Sequence, residues 1–260
     1  EQTDYPALEL LLVDNQSKDP RTLAVLERAA ADPRVRVLPH DAPFNYSAIN
    51  NRAAAQARGD LIALVNDDIE MTDPGWLREM VSLAIRPEIG CVGAKLLYPD
   101  GTLQHAGVVT GLGGVAGHSH KYMPADTPGY FRRLAMVHEV SAVTAACLVV
   151  RRSVFEQVKG LDEANLSVAF NDVDFCLRVR EAGYRNLWTP WAELIHHESK
   201  SRGADTQGGK LRRFQRELAY MQRRWDGILD RDPFYSPNLT LGSEDFAVRK
   251  PDERLTWSHP

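Results

Sequence analysis

The chain has 260 residues, 43% hydrophobic and 25% charged, enough to bury a substantial core in one large domain or one domain with an extension. No run of about 18 apolar residues occurs, which disfavours a membrane-spanning synthase. The net charge of −4 and the absence of a basic–aromatic array or zinc-finger spacing exclude nucleic acid as an expected partner.

The elements read as follows in chain order. LELLLVD predicts a short strand, Asp19-Pro20 opens a helix, VRVLP is a strand, and SAINNRAAAQA has the pattern of a helix. LIALVN is a buried strand, and Pro74 marks the first turn of a helix over 74–86. This alternation predicts an α/β fold with a mostly parallel sheet flanked by helices. Between residues 89 and 117 the rhythm changes to glycines and short β-rich pieces, with Pro99-Asp100-Gly101 as a turn. The second half reads as α+β: HEVSAVTAACLVVRR as one long strand, SVFEQV as a short helix, and DVDFCLRVREAG as an amphipathic helix ended by Gly183. YRNLWT and AELIHH then read as two short strands, and a basic helix covers about 207–225 before a tail rich in Pro, Asp and Ser. Cys91, Cys147 and Cys176 lack metal or redox spacing and are expected to be buried thiols in a reducing compartment.

Three segments carry chemistry. LIALVNDDIE ends a buried strand in Asn66, Asp67, Asp68 and Glu70, and the carboxyl ends of strands in open α/β sheets face the ligand crevice. Oxygen ligands of this kind suit Mg2+ or Mn2+, although a helix cap or turn explains the same residues. Asn171, Asp172 and Asp174 open the second-half helix, where Asp serves also as a cap. His196 and His197 close a strand and point to opposite faces, so one of them can face a given site.

Together these segments resemble the family 2 glycosyltransferases of the GT-A type, with the flavour of bacterial O-antigen and cell-surface polysaccharide enzymes. VDNQSKD resembles the nucleotide-recognition segment of that family, VNDDIE its metal-binding Asp-x-Asp, and SAVTAACLVVRRSVFEQVKGLDE its donor-sugar and acceptor segment. FNDVDFCLRVREAGYR is similar to its catalytic Glu-Asp segment and LIHHESKSRG to its late histidine. The resemblance implies a nucleotide-diphosphate sugar donor, a saccharide or lipid-linked saccharide acceptor, and Mn2+ or Mg2+ as cofactor.

It further implies that Asp14 holds the nucleobase, with Asn15 and Ser17 shaping that loop, Asn51 and Arg52 near the nucleotide, and Asn66, Asp67 and Ala146 on the donor side. Asp68 and His196 are implied as metal ligands and Asp172 as catalytic base of an inverting transfer; Asn171 stands in place of the usual Glu. Met221 replaces the glutamine of the processive Gln-x-x-Arg-Trp segment, so single addition is expected. The rival readings are a sugar-phosphate nucleotidyltransferase and a non-catalytic carbohydrate-binding domain.

On this reading residues 1–205 form the catalytic domain, with its first strand and helix missing, and 206–260 form a C-terminal helix and extended tail. The cytoplasm is the expected location, peripheral to the inner face of the membrane. Lys210, Arg212, Arg213, Arg216, Arg223 and Arg224 beside Leu211, Phe214, Leu218 and Met221 are candidates for that membrane contact.

Overall fold

The computed structural model describes residues 3–198 and 208–250. Its first half alternates β1 (Leu10–Asp14), α1 (Pro20–Ala29), β2 (Val35–Pro39), α2 (Tyr46–Gln56), β3 (Leu61–Val65), β4 (Ile69–Met71) and α3 (Trp76–Ala84). Local chemistry explains the boundaries. Asp19 caps α1 by accepting the Arg21 amide, with Pro20 in the first turn, and Asn45 caps α2 by accepting the Ala48 amide. The helix expected over 74–86 is shorter, because Asp73 Oδ1 takes the Gly75 amide and holds Asp73 to Gly75 as a turn, with Pro74 outside the helix.

The second half contains β5 (Ile89–Leu97), β6 (Leu103–His105), β7 (Val108–Thr110), β8 (Ala116–His118), β9 (His138–Val140), β10 (Cys147–Arg151), α4 (Arg152–Gln157), α5 (Asn171–Glu181), β11 (Arg185–His196) and α6 (Gly208–Arg224). The α/β class is as the sequence predicts, but the sheet is mixed. A seven-stranded sheet runs in the order β3-β10-β5-β11-β4, with β6 on β5 and β9 on β11. Within it β5 and β11 pair parallel, whereas β10 runs antiparallel to both β3 and β5. β1 and β2 pair parallel in a separate two-stranded sheet, and Leu10 on β1 and Val65 on β3 remain exposed.

Two sequence expectations change in the second half. The long strand expected through HEVSAVTAACLVVRR is two strands, β9 and β10, because residues 141–146 spend their backbone groups elsewhere. The Ala142 carbonyl accepts from Val108, the Ala145 amide donates to Asp172, and the Ala146 carbonyl accepts from Asn66. Val143 packs so close to Gly93 that a β-carbon there would lie 2.5 Å from it, so a glycine is required beneath this segment. Conversely, the two strands expected at YRNLWT and AELIHH are one strand, β11, with its register interrupted between Trp188 and Glu193. Pro190 in that interruption has no amide hydrogen to donate to the ladder.

The core lies on both faces of the large sheet. One cluster sets α3 (Trp76, Met80) against Val92, Leu96 and Leu194; the other sets α5 (Phe175, Leu177) against Leu148, Trp188 and, from the C-terminal part, Met221, Trp225 and Leu229. All three cysteines are buried and free. The α6 helix is tied to the rest by Glu217, which is fully buried and accepts from Ser167 Oγ and from the Val168 and Ala169 amides. Arg224 and Trp225 both reach the buried Asp174 carboxylate of α5, at 2.9 and 3.0 Å. These two residues of the Arg-Trp pair therefore join helices here. Among the described residues no helix is long and apolar enough to cross a membrane.

Candidate active site

The ends of β3, β10 and β11 bring the predicted acidic and histidine residues together. β3 stops at Val65 because Asn66 turns its amide to the Ala146 carbonyl, 2.9 Å away, and the chain then folds back as β4. This places Asp68 opposite the end of β11, where the His197 amide donates to the Asp68 carbonyl. As strand alternation requires, the two histidines diverge. His196 is buried with Nε2 3.0 Å from Asp68 Oδ1, whereas His197 faces Glu70 at 2.8 Å.

The tautomer of His196 follows from its neighbours. Gln104 on β6 donates its amide nitrogen to Glu198 Oε2 at 3.2 Å, which leaves Gln104 Oε1 to accept from His196 Nδ1 at 2.6 Å. In neutral His196, Nε2 then carries the lone pair and aims it toward Asp68. Asp68 Oδ1 is buried and has no hydrogen-bond partner among the described residues. A carboxylate oxygen and an imidazole nitrogen facing one point, the nitrogen oriented by a second side chain, is a donor set that fits a divalent cation such as Mn2+. Among the described residues no third His, Cys, Asp or Glu joins them. Gln104 was missed by sequence reasoning, since a glutamine in a short β-rich stretch carries no spacing signal.

Asp172 occupies the first turn of α5, which begins after Phe170 in a left-handed conformation (φ 60°). Its carboxylate accepts the Ala145 amide at 3.1 Å and the Val173 amide at 2.9 Å. Burial pushes its pKa above the ordinary Asp value, and the bonds from Ala145, Val173 and Thr144 oppose but do not cancel that rise. Asn171 is buried and donates to the Val168 carbonyl, a structural task. Asp174 is ion-paired to Arg178 at 2.7 Å.

Tyr46, at the start of α2, links the two groups. Its hydroxyl lies 2.9 Å from the Ala145 carbonyl and 3.2 Å from Asn66 Oδ1, while Asn66 Nδ2 lies 3.3 Å from His196 Nε2. Burial raises the pKa of this phenol, with Asp172 second, so the hydroxyl stays protonated. His105 and His118 add a neighbouring pair, their Nδ1 atoms 2.8 Å apart, and His105 Nε2 accepts the Thr144 amide. Thus β6 contacts both halves of the site, through Gln104 to His196 and through His105 to the segment that bonds Asp172.

The other sequence candidates have the following places. Asp14 Oδ1 accepts the Ser17 amide, the Ser17 hydroxyl and then this amide lower the Asp14 pKa, and Asn15 bridges to the His40 and Ala42 carbonyls, so these residues shape the loop after β1. Arg52 Nη1 lies 3.5 Å from His40 Nδ1. Asp67 is exposed, and Ala146 is buried beneath Asn66. Asn51 spends its amide on Leu161 and Glu163 and lines a cavity of about 740 Å³ with Ile62, Phe155, Gly160 and Arg178, which Asp68, Asp172 and His196 do not line.

Comparison with known proteins bears on the family and the fold. The chain is 56% identical over 250 residues to an uncharacterised protein, y4gI, of Sinorhizobium fredii, and 46% identical over 256 residues to the O-antigen biosynthesis protein RfbC of Myxococcus xanthus. These alignments cover 96% and 97% of the chain but only 28% and 19% of those relatives' lengths. It is 31% identical over 222 residues to an N-acetylglucosaminyl-diphospho-decaprenol L-rhamnosyltransferase of Mycobacterium tuberculosis, covering 78% of the chain and 70% of that protein. A mannosyltransferase from Pyrobaculum calidifontis, solved with GDP-Man and Mn2+, has the same fold at 17% identity (TM-score 0.60, 88% of this chain and 61% of that one). The model of Glycosyl transferase family 2 matches residues 1–159, and with the rhamnosyltransferase match this shows that the chain belongs to that family.

Proposed function

We propose that this chain is the catalytic part of an inverting, divalent-metal-dependent transferase that moves a sugar from a nucleotide-diphosphate donor to a saccharide or lipid-linked saccharide. The observation that carries the proposal is the linking of a buried carboxylate to a carboxylate–imidazole pair through Tyr46 and Asn66. On one side is an Asp172 carboxylate with a raised pKa; on the other are Asp68 Oδ1 and His196 Nε2 facing each other at 3.0 Å.

Asp172 takes the proton of the acceptor hydroxyl as its oxygen attacks the anomeric carbon. The bond from that carbon to the leaving phosphate breaks, and its electron pair goes to the diphosphate. Attack opposite the leaving group inverts the anomeric centre. A raised pKa makes Asp172 a stronger base than a solvated Asp, and the Ala145 and Val173 amides fix its direction. Asp68 and His196 would hold a divalent ion, whose chemistry when bound is to stabilise negative charge on the leaving diphosphate. The loop shaped by Asp14, Asn15 and Ser17 is assigned to the nucleobase, and Asn66 and Ala146 to the donor side.

The relatives' printed activities, O-antigen biosynthesis and rhamnosyl transfer to a lipid-linked sugar, favour a bacterial cell-envelope saccharide as acceptor. The deciding experiment is release of nucleoside diphosphate from a panel of nucleotide sugars with Mn2+. Donor turnover in the native chain that is lost with chelator is expected, and metal-independent turnover would overturn the assignment of Asp68 and His196.

A further inference from the structure

Beside these groups lies an aromatic pair that the transfer step does not use. Tyr98, after the end of β5, and Tyr122 stack with centroids 5.3 Å apart and planes 9° from parallel, yet Tyr122 remains 64% exposed. The backbone holds it there at a conformational cost. His120 and Tyr122 both adopt left-handed conformations, φ 57° and 65°, which are unfavourable for residues with a β-carbon. The segment is fastened to β6: the Tyr122 amide donates to the Leu103 carbonyl at 2.7 Å, and the Leu103 amide to the Met123 carbonyl at 2.8 Å.

The residue after Leu103 is Gln104, the one that orients His196 and donates to Glu198. Glu198 in turn lies near the Tyr98 phenol, whose pKa is held up by burial first and then by the Tyr122 hydroxyl and the Glu198 carboxylate. The Glu198 carboxylate therefore sits two hydrogen bonds from a candidate metal ligand, beside a half-buried Tyr98 and an exposed Tyr122.

We propose that Tyr122, backed by Tyr98 and flanked by Glu198, is a saccharide-binding platform that takes one face of a pyranose ring of the acceptor. This rests on the transferase reading above and names the acceptor side of that site. The C–H face of a pyranose is apolar and slightly positive and complements the negative face of an aromatic ring. Its equatorial hydroxyls donate to a carboxylate at the rim. Lys121 Nζ lies over the Tyr122 ring, 5.0 Å from its centroid, so a pyranose on that ring displaces the ammonium, which then donates to the sugar's hydroxyls.

Saturation-transfer NMR tests this without turnover, using methyl α-D-mannopyranoside, methyl β-D-galactopyranoside and methyl α-L-rhamnopyranoside as probes, each with and without GDP, UDP or dTDP and Mg2+. In the native chain, ring protons of at least one pyranoside should receive saturation. Its affinity should fall at least about tenfold in Tyr122→Ala and stay within about twofold in Tyr122→Phe, the pattern of a lost aromatic anchor. Glu198→Gln, which keeps the shape but weakens the acceptor, should lower it as well. Nucleotide signals should be the same in Tyr122→Ala and Tyr122→Phe as in the native chain. No transfer to any pyranoside in the native chain, or equal transfer in Tyr122→Ala, overturns the platform. Loss of the nucleotide signal in Tyr122→Ala also overturns it, by making the ring a nucleobase contact. Failure of the native chain to bind any nucleotide counts instead against the transferase reading, because pyranoside binding is read separately.

Discussion

Gln104 Oε1 accepts the Nδ1 proton of His196 at 2.6 Å, and this one bond decides that Nε2 points its lone pair at Asp68. Gln104→Leu removes the acceptor while keeping an uncharged side chain of similar bulk. It should weaken Mn2+ binding about 10–100-fold, the range for loss of a supporting bond to a metal-bound histidine. Electron paramagnetic resonance titration of Mn2+ measures it, and an unchanged affinity would show that His196 is oriented by something else.

Asp68→Ala should abolish metal-dependent binding of the donor, because it removes a carboxylate oxygen that is buried beside His196 with no hydrogen-bond partner among the described residues. Calorimetry with nucleoside diphosphate and Mn2+ reads the loss. Full Mn2+-stimulated activity in the variant would refute the assignment.

Asp172→Asn should keep donor affinity and lower kcat by about 10²–10⁴-fold, the usual contribution of a general base. A fall of less than about tenfold would show that another base acts. Because the Asp172 pKa is raised, the acidic limb of the native kcat profile should lie above the ordinary Asp value of 3.8. Stability gives an independent sign. A carboxyl whose folded pKa is raised favours the folded state most below its unfolded pKa and loses that contribution as pH rises through the folded value. The native chain should therefore lose stability relative to Asp172→Asn as pH rises through that window, measured by urea unfolding at several pH values.

Histidine burial predicts the opposite behaviour on the acid side. Burial pushes His118, His120 and His138 down from 6.5 to about 4, and holds His105 well below 6.5. Groups with depressed folded pKa values leave the proton to the unfolded chain, so their contribution is present above pH 6.5 and is lost as pH falls toward 4. Unfolding at about pH 5 should take up several protons, seen as a steep fall of stability between pH 6.5 and 4.

Glu217→Ala should destabilise the chain by about 3–5 kcal/mol, since it strips a buried carboxylate from three donors at Ser167, Val168 and Ala169. These residues lead into α5, so turnover should fall as well. A loss below about 1 kcal/mol would show that α6 is not fastened to the catalytic part through this residue.

Much of this protein was legible in the sequence because the signals were local. Asp19-Pro20 is a start signal whose carboxylate reaches its own helix, so α1 begins where the sequence places it, and α2 begins one residue before the predicted SAINNRAAAQA because Asn45 caps it. An apolar strand ending in Asn66-Asp67-Asp68, a helix opened by Asp172, and alternating His196 and His197 were enough to name the candidate chemistry, although β3 is an edge strand with Ala63 and Val65 exposed and not the buried strand expected. The tertiary structure decided what depends on partners distant in sequence. The break between β9 and β10 exists because residues 142–146 bond to Val108, Asp172 and Asn66 instead of continuing a ladder. The joining of β11 across Pro190 follows from a continuous neighbour, β5, which pairs on both sides of the interruption. Gln104, Tyr46 and the Tyr98–Tyr122 stack carry no motif; their roles arise because β6 lies between His196 and Thr144, a position fixed by packing and not by any property of residues 103–105 alone.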